Sequence, residues 1–162
     1  MNINDFSKVY EENKTLDKLF IDKYGNNDDI ILKNQLELLV ELGELANETK
    51  CFKYWSVKNA NKDKVLEEYA DVILMIFYFF RELDVSLSEN FPNENNANLI
   101  DEFIILFELM AKFRYKYERE LIKEIFINML KLGELLELSS DEIINSCLNK
   151  IKIDRDRFKI DY

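Results

Sequence analysis

Residues 30–51 read IILKNQLELLVELGELANETKC, and this stretch decides the fold. At 100° per residue, Glu37, Glu41, Glu44 and Glu48 fall within about 60° of one another on a helix. Leu38 and Leu45 border that stripe, and Leu36, Leu39, Val40, Leu42 and Ala46 cover most of the remaining circumference. The stretch is therefore an apolar helix with one narrow acidic stripe. A solvated face is the ordinary explanation for such a stripe, but solvated faces usually mix Glu with Lys at i,i+4. No Lys or Arg stands between Lys33 and Lys50. Each like-charge neighbour pair costs roughly 0.2–0.5 kcal/mol in an isolated helix. Something positive should sit against the stripe.

Working outward, a second helix is predicted over 62–83. It carries Glu68 and Asp71 at i,i+3, on one face. Lys64 lies one turn before Glu68 and offers it an ordinary partner. Asp71, however, opens directly onto VILMIFYFF at 72–80, a wholly apolar and aromatic run. Two helices packed antiparallel across a short loop would bring four carboxylates into one volume. Their repulsion would raise their pKa values unless cations intervened. With no histidine in the chain, a His-based zinc site and Ser-His-Asp or Cys-His catalysis are excluded. Oxygen-only ligation suits magnesium, manganese or calcium. Magnesium also keeps positions open for phosphate oxygens and water.

The rest of the chain fits an all-α bundle of five or six helices. A first helix is predicted from about Asn4 to Tyr24. A loop at 25–29 follows, with Asp28 or Asp29 as N-cap of the next helix. A polar connector occupies 84–97. Two further helices are predicted over about 97–117 and 118–138, with one continuous helix as the alternative. Ser139-Ser140-Asp141-Glu142 marks a last helix, ending near Ile151. At 162 residues the chain suits a single domain, and three Gly and one Pro leave few tight turns.

The net charge of −10 argues against nucleic acid as a partner. No apolar run reaches the length of a membrane span. The N-terminus lacks the pattern of a signal peptide, and Cys51 and Cys147 follow no metal spacing, so a cytoplasmic protein with reduced thiols is expected. Twelve Phe and eight Tyr are a heavy aromatic load for one small bundle, and some are expected to cover an interface.

VELGELANETKCFKYWS at 40–56, followed by EEYADVI at 67–73, resembles the dimeric all-α dUTP pyrophosphatases, which belong with the MazG-like nucleotide pyrophosphohydrolases. The opening helix, GELLELSSDEII at 133–144 and NKIKIDRDRFKIDY at 149–162 extend the likeness. The resemblance implies cytoplasmic, magnesium-dependent hydrolysis of dUTP and dUDP to dUMP, by metal-activated water attack on the α-phosphorus. Manganese would be a substitute. It implies metal binding by Glu41, Glu44, Glu68 and Asp71, with Glu48 in support. Glu44, with Glu41, would help activate the water. It places Asn13, Lys53, Trp55, Lys150, Arg157 and Tyr162 near the nucleotide. It implies a homodimer, and a hydrolase domain over 1–149 with a mobile phosphate-closing tail over 150–162.

Some family positions are altered. Leu74 stands where a histidine near the sugar is usual, and Asn13 where a longer Gln reads the base. Ile151, Asp154, Phe158 and Asp161 replace other residues of the C-terminal pattern. A related pyrophosphohydrolase with altered base specificity therefore stays open. So does a catalytically weak relative that acts as a protein-interaction module, and so does a plain structural bundle.

Overall fold

Asparagine and serine, rather than glycine, punctuate this chain. In the computed structural model, which describes residues 1–92 and 96–161, six α-helices follow a short 3-10 helix at Ile3–Phe6. They are α1 (Ser7–Tyr24), α2 (Asp28–Thr49), α3 (Lys62–Glu82), α4 (Leu99–Phe113), α5 (Arg119–Leu135) and α6 (Ser140–Asp161). No strand occurs among the described residues. The Asn27, Asn61 and Asn98 side chains cap α2, α3 and α4 by accepting from the first free backbone amides. Ser139 and Glu142 form a reciprocal box at the start of α6. The Ser139 amide donates to Glu142 Oε2 at 2.9 Å, and the Glu142 amide donates to Ser139 Oγ at 3.2 Å.

Several boundaries differ from the sequence reading. The first helix begins as 3-10 and becomes α at Ser7. The cap of α2 is Asn27, one residue before the expected aspartates, which instead occupy the first turn and complement the helix dipole. The continuous helix through 117 does not form, because the chain turns at 114–118 and Glu118 is extended. The last helix passes Ile151 and reaches Asp161. Side chains anchor this extension: Arg155 Nη2 lies 3.2 Å from Glu12 Oε2, and the Phe158 ring sits 5.1 Å from Phe20.

Helix α3 is the spine, packed against α1, α2, α5 and α6. Ile73, Ile76, Phe77, Phe79 and Phe80 are fully buried. Phe77, Phe80 and Phe126 stack in mutual contact, and Phe6 joins Phe77 and Phe126 edge-on. Most of the phenylalanines thus fill this chain's own core. The surface left apolar is mainly aliphatic: Leu32, Leu36 and Val40 on α2, with Ile100 and Ile104 on the adjoining α4. No described helix is long and apolar enough to cross a membrane.

Candidate active site

The most extensive helix contact, α2 on α3, is the one that carries the acids. The two helices run antiparallel, so Glu41 faces Asp71 and Glu44 faces Glu68. Oxygen atoms of Glu41, Glu44 and Glu68 all lie within 4.8 Å of one another. Apolar flanks on both helices hold this register: Leu38, Leu42, Leu45 and Ala46 point inward from α2, and Val72 and Ile73 from α3. The stripe is thereby forced toward the groove between the helices.

The electrostatic cost shows in the proton affinities. Burial, followed by the charges of Asp71, Glu44, Glu37 and Glu68, pushes the Glu41 carboxyl up to about 7. Glu68 is raised by burial, then by Asp71 and Glu44. Glu37 is raised by burial, then by Asp71 and Asp154. Asp71 is raised as well, its burial outweighing the help of Lys150. Lys150 Nζ lies 2.9 Å from Asp71 Oδ2. Burial opposes the charge on Lys150, but Asp71 and Asp154 more than compensate and raise its pKa. A cluster of hard oxygen donors held near one another at such cost fits a divalent cation.

Glu41 also lines a cavity of about 550 Å³ enclosed by α1, α2, α3 and α6. Asp71 and its partner Lys150 line the same cavity, as do Asn13, Leu74 and, two turns past Lys150 on α6, Arg157. Through Glu41 the trio adjoins a chamber large enough for a nucleotide.

The remaining predicted residues divide. Asn13 is 2% exposed and donates its side-chain nitrogen to the Leu74 carbonyl at 3.0 Å. Arg157 is mostly exposed and lies 3.6 Å from Asp154. Glu48 sits one turn beyond Glu44 and outside the trio. Lys53 donates to Asn47 Oδ1 at 2.6 Å, and Trp55 is 65% exposed against Tyr54 and Phe52. Neither Lys53 nor Trp55 lines the cavity. Tyr162 lies outside the described residues.

Asn34, Glu37, Tyr78 and Asp154 line the cavity without having been named as site residues. A signal for three of them was present, since Glu37 belongs to the acidic stripe of α2. Asn34 precedes Glu41 by seven residues and Tyr78 follows Asp71 by seven, so each shares the face of an acid.

No curated protein matches the chain. The family model described as dUTPase matches residues 5–162, which include the acid cluster and the whole described cavity. The chain is therefore an enzyme of the all-α dUTPase family, to which the dUTP diphosphatases of this fold belong.

Proposed function

We propose that this chain hydrolyses dUTP, and dUDP, to dUMP, with Mg²⁺ held by Glu41, Glu44, Glu68 and Asp71 and with Glu48 in support. The observation that carries the reading is Glu41 itself, shared between the carboxylate trio and the wall of a nucleotide-sized cavity. When bound, the cation neutralises the phosphates and makes a water molecule more acidic. Glu44, the exposed member of the trio, accepts the proton of the attacking water. The new bond forms between water oxygen and α-phosphorus, and the bond from α-phosphorus to the bridging oxygen breaks. Pyrophosphate leaves from dUTP, and orthophosphate from dUDP. Lys150 and Arg157, on one side of α6, bind the phosphates, and the tail from Lys150 to Tyr162 closes over them. Manganese supports the same chemistry, since it accepts the same oxygen ligands.

Asn13 contributes from the cavity wall. Its side-chain nitrogen is already bonded to the Leu74 carbonyl, which favours a second reading in which the reaction is kept but the preferred base differs. The protein acts as a homodimer. Support comes from the apolar face of Leu32, Leu36, Val40, Ile100 and Ile104, which directly adjoins the acid stripe on α2.

The test is a panel of (d)NTPs and dUDP with Mg²⁺, with products resolved chromatographically. dUMP and pyrophosphate from dUTP are expected. No release from dUTP, with turnover of another nucleotide, would establish the second reading instead.

A further inference from the structure

Among the described residues, each basic side chain that lines the cavity already has a carboxylate partner. Lys33 Nζ lies 2.7 Å from Asp29 Oδ2, Lys150 Nζ 2.9 Å from Asp71 Oδ2, and Arg157 Nη1 3.6 Å from Asp154 Oδ1. Two of the three acids are accounted for. Asp29 is exposed in the first turn of α2, where it complements the helix dipole. Asp71 belongs with the acids of α2 and α3. Asp154 stands apart from the carboxylate trio, yet it lines the cavity and its side chain is mostly buried.

Stability does not explain Asp154. Its partner Arg157 is largely exposed, and such pairs contribute little. Placement does distinguish it. At 100° per residue, Lys150, Asp154 and Arg157 fall within about 60° of one another on α6. The acid thus stands one turn from each cation, on the face that forms the cavity wall. Burial raises the Asp154 carboxyl, and Lys150 and Arg157 oppose that rise. Burial likewise opposes the proton on Lys150, which Asp71 and then Asp154 hold in place.

We propose that Asp154 competes with the ligand's phosphates for Lys150 and Arg157, and so sets how strongly polyphosphates bind. This rests on the nucleotide hydrolysis proposed above, in which those two cations meet the phosphates. Once metal draws Asp71 away from Lys150, Asp154 is the carboxylate left on that lysine's face. Two cations and one acid then present α6 to the cavity with a single net positive charge. An arriving phosphate meets a like charge together with its partners. The repulsion grows with the charge of the ligand, so dUTP is penalised more than dUDP. The same repulsion favours the departure of pyrophosphate.

The experiment titrates pyrophosphate with Mg²⁺ by calorimetry and measures KM for dUTP and dUDP. It compares wild type with Asp154→Asn, Asp154→Glu and Asp156→Asn. Asp154→Asn is expected to bind pyrophosphate roughly tenfold tighter, and to lower KM for dUTP more than for dUDP. Asp154→Glu keeps the charge and stays near wild type. Asp156→Asn removes the same charge from an exposed position on α6 that does not line the cavity, and leaves both readouts unchanged. Should Asp154→Asn fail to fold, Asp154→Ser takes its place. Unchanged or weaker pyrophosphate binding without the Asp154 charge overturns the competition and leaves the hydrolase intact. So does equal tightening in Asp156→Asn, which would reduce the effect to overall charge. Equal falls in KM for dUTP and dUDP overturn the dependence on phosphate number. A wild type that hydrolyses no nucleotide overturns the function proposed above, and the pyrophosphate titration still decides Asp154. Absence of pyrophosphate binding in every variant overturns the competition as well.

Discussion

Lys150 Nζ sits 2.9 Å from Asp71 Oδ2, with both side chains largely buried, so a residue expected to meet phosphate is paired with a residue expected to hold metal. The pair links α6 to α3 and supplies positive charge to the cluster. In the absence of metal, the lysine is the cluster's internal counterion. Metal and substrate would divide the two partners between them, Asp71 toward the cation and Lys150 toward phosphate.

Lys150→Met therefore has opposite effects on two ligands. Without metal, the melting temperature falls, because a largely buried carboxylate loses its partner. The apparent affinity for Mg²⁺ alone rises, since Asp71 no longer has to be released. KM for the nucleotide rises roughly ten- to a hundredfold, the range for losing a charge-assisted hydrogen bond. Calorimetric titration of Mg²⁺, set beside steady-state kinetics, checks both signs. Parallel weakening of metal and nucleotide would contradict the exchange.

Glu44→Gln tests the proton acceptor. The side chain is exposed and supports no core packing, so the fold should hold, and the metal-free melting temperature should rise slightly as Glu41 and Glu68 lose a like charge. The rate should fall by about 10²–10⁴, the usual range for a general base. Single-turnover hydrolysis at saturating Mg²⁺ separates this from weakened metal binding. A loss confined to the Mg²⁺ concentration dependence would make Glu44 a ligand only.

The raised carboxyls set a pH dependence with a definite sign. Glu41 titrates near 7 in the folded chain, against an ordinary value of 4.5, because burial and the neighbouring acids disfavour its charge. Glu37, Glu68 and Asp71 are displaced the same way. The folded state then holds protons that the unfolded state has released, so metal-free stability falls as pH rises from about 4.5 to 7. Glu142, held down near 2 by Lys62 and Ser139, contributes a loss only below that window. Mg²⁺ favours the ionised acids, so its stabilising effect grows over the same window. Melting curves at pH 5 and pH 8, with and without Mg²⁺, should show the metal-free value dropping and the metal restoring it. A metal-free melting temperature that rises across this interval would falsify the cluster's cost.

How much of this was legible in the sequence follows from the range of the forces involved. The acid register was legible because helical periodicity fixes which residues share a face, and the apolar flanks of α2 and α3 turn those faces to one groove. Glu41, Glu44 and Glu68 needed little more than counting. The extent of α6 was not legible. Lys150 to Asp161 looks like a solvated tail, and it is anchored by long-range contacts, Arg155 to Glu12 and Phe158 to Phe20, that no local pattern announces. The engagement of Asn13 was hidden for the same reason, since its partner is a backbone carbonyl 61 residues away.

The face of Leu32, Leu36, Val40, Ile100 and Ile104 yields the last prediction. Leu36 is 64% exposed and Ile104 52% in the single chain, and neither packs into its core. Exchanging either for lysine should leave the isolated fold within about 0.5 kcal/mol, as for most surface substitutions. Covered by a second copy, the same positions would be desolvated, and a lysine on each side of a twofold axis would be buried against its like. Leu36→Lys with Ile104→Lys should therefore convert a dimer to a monomer in sedimentation velocity while the helical circular dichroism is kept. Because Val40 directly precedes Glu41, the monomer should also lose activity, through disturbance of the cluster's flank rather than loss of a ligand. A variant that stays dimeric would move the interface elsewhere, and one that becomes monomeric with full turnover would detach the site from the subunit contact.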